Sequence, residues 1–293
     1  MRFPAVAGRF YPDEAGALRR SITECFAKGA GAPGPRSGGR RVSAVLVPHA
    51  GYVCSGYCAS HAFRALAEDG RPEAYVIIGP DHYGVPYGSV TCSEGYATPF
   101  GTCHVDEGIC GRLRGVVPDD PRAHAFEHSI EVEVPFLQYI DPDAKIVPVM
   151  MSRQTPQEAE RLAGALRAAC AGRDVVYVAS SDLMHYVPKE RADSLDREFL
   201  GAVASNDPSE VFDAVRRGRM SVCGYGPVAV AMMAARPSSV EILNQTDSSE
   251  ALGYGCGSVV GYGSAVMYKR AGEPRGPPRV CVQILLRYLR LGS

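Results

Sequence analysis

Three hydrophobic runs in this chain each lead into a loop that carries a histidine. "AVLVPHAGY" delivers His49, "IIGPDHYG" delivers His82, and "VVYVASSDLMHY" delivers Asp182 and His185. The runs are apolar at successive positions and not at every second one, which marks strands covered on both faces. Segments with helical spacing separate them. Strands alternating with helices predict an α/β fold, a single three-layer α/β/α domain around a mostly parallel mixed sheet. Parallel strands bring their carboxyl ends to one edge, where open α/β sheets bind ligands. A lone loop histidine is usually a surface or capping residue. Three in equivalent positions, with Asp182 among them, predict one shared site.

The remaining elements follow from the same spacing rules. A helical pattern opens at Pro12-Asp13 and runs through Leu18, Ile22, Cys25 and Phe26 to about Lys28. "GAGAPGPRSGGR" breaks it as a surface loop. Strands are expected at 42–47, 74–79, 144–151, 174–180, 239–247 and 258–268. "SVTC" and "YATPFGT" suggest a short antiparallel excursion. Helices are expected at 57–66, 155–172, 189–204 and 207–217, with Pro156 as a first-turn proline and a weak helix near 105–115. "FEHSIEVEVPFLQYI" reads as a helix that Pro135 kinks or starts late. No linker divides the chain before residue 269. Residues 270–293 form a Pro/Gly/Arg linker and a short apolar tail segment, expected to pack on the body or a partner.

With 31 basic and 32 acidic residues intermixed, the chain has no basic stripe to recruit nucleic acid. No apolar stretch is long enough to span a bilayer, so no membrane role is expected. The first residues lack the apolar core of a signal peptide, which points to the cytoplasm. The ten cysteines never form a C-x-x-C pair and read mostly as small, reduced core residues. Cys223 is the exception. "CGYGPVAVAMMAAR" sets it just before a helix marked by Pro227, where the positive helix start favours thiolate.

Two imidazoles and a thiolate make a donor set for Fe, Zn or Cu, and spacing does not choose among these metals. Asp182 and His185, three residues apart, suit an acid–base pair in which the carboxylate orients the ring. "EHSIEVEVP" adds Glu127 and His128 as further acid–base candidates, with Glu127 and Glu131 on one helical face. Phosphate-binding and dinucleotide-binding glycine motifs are absent.

The stretches "AGRFYP", "VPHAGYVCSG", "IIGPDHYG", "EHSIEVEVPFLQ", "IVPVMM", "SSDLMHY" and "CGYGPV" together resemble the Memo family, whose microbial members are called AmmeMemoRadiSam system protein B. They span nearly the whole chain and are specific jointly. The resemblance implies a fold like that of class III extradiol ring-cleaving dioxygenases and a metal held by His49, His82 and Cys223. Asp182 and His185 would line the same pocket, with His185 in the place of the dioxygenases' acid–base histidine. It further implies a divalent or redox metal, Fe(II) first with Cu or Zn as alternatives. A thiolate where those dioxygenases have a carboxylate shifts preference towards softer metals.

The leading functional expectation is a metal-dependent redox enzyme or oxygenase acting on a small molecule. By the resemblance it works in a system with radical-SAM and AMMECR-type partner proteins. One alternative is a metal-free hydrolase or transferase with Cys223 as nucleophile, His185 as base and Asp182 as orienter. Another is a non-catalytic protein that binds metal or peptide.

Overall fold

The computed structural model describes residues 1–253 and 257–270. Along the chain run α1 (Ala15–Lys28), β1 (Val42–Val47), α2 (Tyr52–Glu68), β2 (Ala74–Pro80), β3 (Ser89–Thr91), β4 (Tyr96–Thr98) and β5 (Gly101–Val105). Then come α3 (Glu107–Leu113), α4 (Glu133–Ile140), β6 (Lys145–Met151), α5 (Pro156–Ala169), β7 (Val175–Ser180) and β8 (His185–Val187). The described part closes with α6 (Lys189–Ala204), α7 (Pro208–Gly218), α8 (Tyr225–Ala235), β9 (Ser239–Asp247), α9 (Ser248–Leu252) and β10 (Val259–Tyr268).

The strands form one mixed sheet in the order β4-β5-β6-β2-β7-β1-β10-β8, with β3 on β6 and β9 on β10. Its centre is parallel, from β5 through β6, β2 and β7 to β1. Antiparallel strands flank that centre, the expected excursion among them: β3 lies against β6, and β4 forms a hairpin with β5. This agrees with the α/β class and is consistent with an extradiol-dioxygenase-like arrangement.

Strand alternation sends side chains to two cores. Ala44, Leu46, Val76 and Ile78 face the layer of Leu162, Phe199 and Val228. Val45, Val47, Tyr75 and Ile77 face Leu18, Phe63 and Phe136. Every residue of β1 and β2 is buried, which is why these runs show no polar alternation. Each fully buried Leu or Ile contributes about 1.5–3 kcal/mol.

Local signals explain several helix starts. Pro156 opens α5, with the Thr155 side chain accepting from Glu158 N–H. The helix α8 is apolar nearly all round because it is wedged between α5, α7 and the sheet. Pro227 is its third residue. The helix expected at 57–66 is longer than the spacing predicts: α2 starts at Tyr52, directly after Gly51.

One expectation is corrected. The segment 126–132 is not helical, and α4 starts only at Glu133 with Pro135 in its first turn. Glu127 and Glu131 therefore share no helical face. Pro135 has no N–H to bond the carbonyl four residues before it, which costs a helix running through from 126 a hydrogen bond and costs nothing in a first turn. The two carboxylates are also spent on partners elsewhere. Among the described residues no helix is long and apolar enough to cross a membrane. The tail expected to pack on the body falls at 271–293, outside the described residues.

Candidate metal centre

The strands β2, β7 and β1 are neighbours, so their carboxyl ends bring His82, Asp182 and His49 side by side. Cys223 arrives from the other layer, one residue before the Gly224 cap of α8. Donor atoms of His49, His82 and Cys223 all lie within 4.8 Å of one another. Cys223 Sγ is 3.3 Å from His49 Nε2.

Each of the three is held in place. The Asp182 carboxylate accepts the backbone N–H groups of His49 at 2.8 Å and Ala50 at 3.3 Å, which fixes the turn after β1. Asp182 N–H in turn points at Cys223 Sγ, 3.2 Å away. Gln154 clamps the cysteine turn from outside: its Nε2 donates to the Cys223 carbonyl and its Oε1 accepts Gly226 N–H, both at 2.7 Å. Glu127 holds His82, accepting its backbone N–H at 2.7 Å and sitting 2.9 Å from its Nδ1.

A third ring completes the wall. The His128 imidazole stacks on His82 with centroids 4.6 Å apart and lies 5.5 Å from His49. His82, Glu127 and His128 also form a compact donor group. Glu127 is saturated there, because it accepts N–H groups of His82, His128 and Ser129 besides facing the His82 ring. It supports His82 and has little left to offer a cation of its own.

The charges follow from burial and these contacts. Burial opposes ionisation of Glu127, but the His82 hydrogen bond and charge outweigh it and hold the carboxyl down at about 2. For His82, burial works against protonation, yet Glu127 raises its pKa above the ordinary value. Burial, together with the other histidines, keeps His49 neutral, and burial lowers His128 as well. Burial is also the main cause that lifts Asp182 to about 6.

Cys223 is not the thiolate that its place at a helix start suggests. Burial, and next the Asp182 charge, push its thiol well above the ordinary range. A helix N-terminus contributes about 0.3–1 kcal/mol, up to about 2 in favourable geometry. That is too little to offset the desolvation that the thiolate suffers in this partly buried place. A bound cation is what would make the thiolate stable here, since metal ligation deprotonates a thiol outright.

Asp182 and His185 stay within charge–charge reach of each other, but among the described residues no hydrogen bond joins them. The Asp182 carboxylate turns back onto the His49 turn. His185, at the start of β8, places Nδ1 2.7 Å from the Leu183 carbonyl and 2.9 Å from the Ser221 carbonyl. Two carbonyls can only accept, so that nitrogen carries a proton, and in the neutral ring the lone pair is then on Nε2. His185 belongs to neither metal-binding group.

Sequence reasoning missed several supporting residues. Ser180, the last residue of β7, lies 2.7 Å from His49 Nδ1. Arg2 forms a buried ion pair with Glu131, 2.7 Å apart, and its guanidinium also donates to the carbonyls of His124 and Glu127. Glu131 further accepts from Ala5 and Val6 N–H and from Tyr11 hydroxyl. The N-terminal segment thereby locks the loop that carries Glu127 and His128. Only the run "SSD" hinted at Ser180, and nothing local points to Arg2. A cavity of about 500 Å³ lined by Arg41, His61, Arg64 and Tyr268 lies near the amino end of β1 and contains none of these residues.

Fold and site define an α/β protein whose sheet edge gathers a histidine–histidine–cysteine donor group. The sequence pattern of the Memo-like proteins matches residues 2–266. A protein of Methanothermobacter thermautotrophicus, described as a MEMO1 family protein, is 38% identical over 274 residues, covering 89% of this chain and 98% of its own length. One of Methanopyrus kandleri with the same description is 38% identical, covering 92% and 99%. The chain belongs to the Memo family. Among solved structures it is similar to an uncharacterized protein of Escherichia coli K12, with a TM-score of 0.54 at 17% identity, covering 77% of this chain and all of the other. That likeness concerns the fold alone.

Proposed function

We propose that this chain is a metal-dependent redox enzyme or oxygenase that acts on a small molecule, with Fe(II), or alternatively Cu or Zn, held by His49, His82 and Cys223. One observation carries the reading. Three side chains from three separate loops converge to within 4.8 Å, and each is braced from behind. A fold has little reason to pack two imidazoles and a thiol so closely unless a cation replaces their protons. The donor set also suits these metals: soft thiolate and borderline imidazole. When bound, such an ion supplies Lewis acidity and, for iron or copper, access to electron transfer.

The protein's own groups divide the remaining work. Glu127 and Asp182 orient the donors. His128 lines the mouth as a neutral ring beside His82. His185, with Nδ1 committed to two carbonyls, offers Nε2 as the atom that takes or returns a proton. The metal-free nucleophile reading is weaker on two counts. Burial raises the Cys223 thiol instead of activating it, and the imidazole beside the sulfur is that of His49, not His185. The family resemblance supports radical-SAM and AMMECR-type partner proteins. The eight free cysteines of the described residues suit the reducing cytoplasm.

The test is the metal content of the full chain, purified without chelator or affinity tag. About one equivalent of iron, copper or zinc is expected in the wild type and almost none in H49A. Absence of bound metal and failure to rebind it, with a Cys223 thiol that reacts rapidly with iodoacetamide, would overturn the proposal.

A further inference from the structure

The Ser180 hydroxyl has three partners. The Ser129 carbonyl lies 2.6 Å from Oγ, His49 Nδ1 lies 2.7 Å away, and Glu133 Oε1 lies 2.9 Å away. A serine hydroxyl has one proton to donate and two lone pairs to accept with. The Ser129 carbonyl can only accept, and it is the nearest of the three, so the Ser180 proton goes there. The other two partners must then both donate. His49 does so only as the Nδ1–H tautomer, and Glu133 only as a protonated acid.

The surroundings of Glu133 fit that conclusion. Its side chain is fully buried, no ion pair engages it among the described residues, and its Oε2 has no hydrogen-bond partner. An ionised carboxylate in such a place would cost several kcal/mol. Burial raises its pKa well above the usual carboxylate range. The Ser180 hydrogen bond opposes this only in part, and Asp182 adds to it.

The opposite arrangement has a clear cost. If Ser180 donated to His49, the ring proton would sit on Nε2 and face Cys223 Sγ. That is the position where a cation would have to bind.

We propose that Glu133, as a neutral acid, is a positioning residue: through the Ser180 hydroxyl it fixes His49 in the tautomer that turns a bare Nε2 towards His82 and Cys223. The proposal rests on the metal-binding reading above. It places a hydrogen-bond donor, and not a negative charge, behind the histidine. Removing such an outer support weakens metal binding about 10–100-fold in other sites.

Two measurements on the full chain test it. In metal-free protein labelled with ¹⁵N-histidine, NMR should report His49 as Nδ1–H. An Nε2–H ring in the wild type overturns the proposal, whatever happens with metal. Zn(II), a redox-silent probe, is then titrated into wild type, E133Q and E133L. The amide of E133Q still donates to Ser180, so it should bind near the wild-type affinity. E133L, similar in size and without a donor, should bind about 10–100-fold more weakly and show mixed His49 tautomers.

Wild-type affinity in E133L means that nothing is positioned, and equal losses in E133Q and E133L mean that charge is what matters. Either result overturns the proposal. Should E133L not fold, S180A interrupts the same link, and unchanged tautomer and affinity in that variant overturn it as well. H49A separates the two readings: if it binds Zn(II) like wild type, the metal centre is wrong, while the tautomer measurement still decides the Ser180 arrangement.

Discussion

Glu127 grips His82 at two points, taking its backbone N–H on one carboxylate oxygen and facing its ring Nδ1 with the other. The backbone contact sets where the residue sits, and the ring contact sets which nitrogen looks into the pocket. Replacing Glu127 with Ala removes both, so metal affinity should fall about 10–100-fold. The same carboxylate gives an acid-dependent stability. Its folded pKa lies below the unfolded value, so its contribution is present above that value and is lost as pH falls towards about 2. E127A should show a shallower loss of stability in acid than the wild type. Equal metal affinity in E127A and wild type would remove Glu127 from the site.

Cys223 divides the metal reading from the nucleophile reading. C223D puts a carboxylate at a position that soft metals prefer to find as sulfur. It should retain Fe(II) and lose affinity for Cu, because carboxylates suit harder ions. Competition titrations with both ions check this. If C223D and C223A both hold wild-type amounts of metal, Cys223 is not a donor.

His185 should leave the metal alone. Its Nδ1 is tied to the Leu183 and Ser221 carbonyls, and it stands outside both donor groups. H185A is expected to bind metal at close to the wild-type level. Loss of most of the metal from that variant would place His185 among the donors.

Asp196 predicts a pH dependence outside the centre. Its buried carboxylate accepts Met184 N–H at 2.9 Å, and burial above all lifts its pKa to about 7. An acid raised on folding favours the folded state while it is protonated. Stability should therefore decline as pH rises from the unfolded carboxylate value through about 7, by at most about 1.4 kcal/mol per pH unit. D196N keeps the acceptor and loses the charge. Urea unfolding of metal-free protein between about pH 5 and about pH 8 should show a reduced slope in D196N and greater stability than wild type at the upper end. Asp182, raised to about 6, leaves a residual slope. Identical slopes for the two proteins would contradict the argument.

What could be read from the sequence depended on how far each signal reaches. The strands that deliver His49, His82 and Asp182 are continuous apolar runs, and parallel packing dictates that their ends meet. Cys223 was legible because glycines and a helix start flank it. The order β2-β7-β1 was not legible, because it is set by packing between distant segments. The orientation of a carboxylate was no better specified. Asp182 stands three residues from His185, yet it serves the His49 turn instead. Glu127 and Glu131 have helical spacing, but apart from the adjacent His128 and Ser129 N–H groups on Glu127 their backbone partners lie far off at residues 5, 6 and 82. Ser180 and Glu133 look like an ordinary strand end and an ordinary helix residue until their side chains meet.

The position of β10 has a consequence for how the chain is made. This last described strand pairs with β1, the first strand of the sheet. Until it leaves the ribosome, β1 has a partner only on its β7 side, and its other edge offers free backbone groups to any passing strand. The sheet that aligns the donor loops therefore closes only when nearly all of the described chain has been synthesised. A chain stalled before β10 would carry His49, His82 and Cys223 with an open edge beside them, and would be a substrate for chaperones before it could be a competent site.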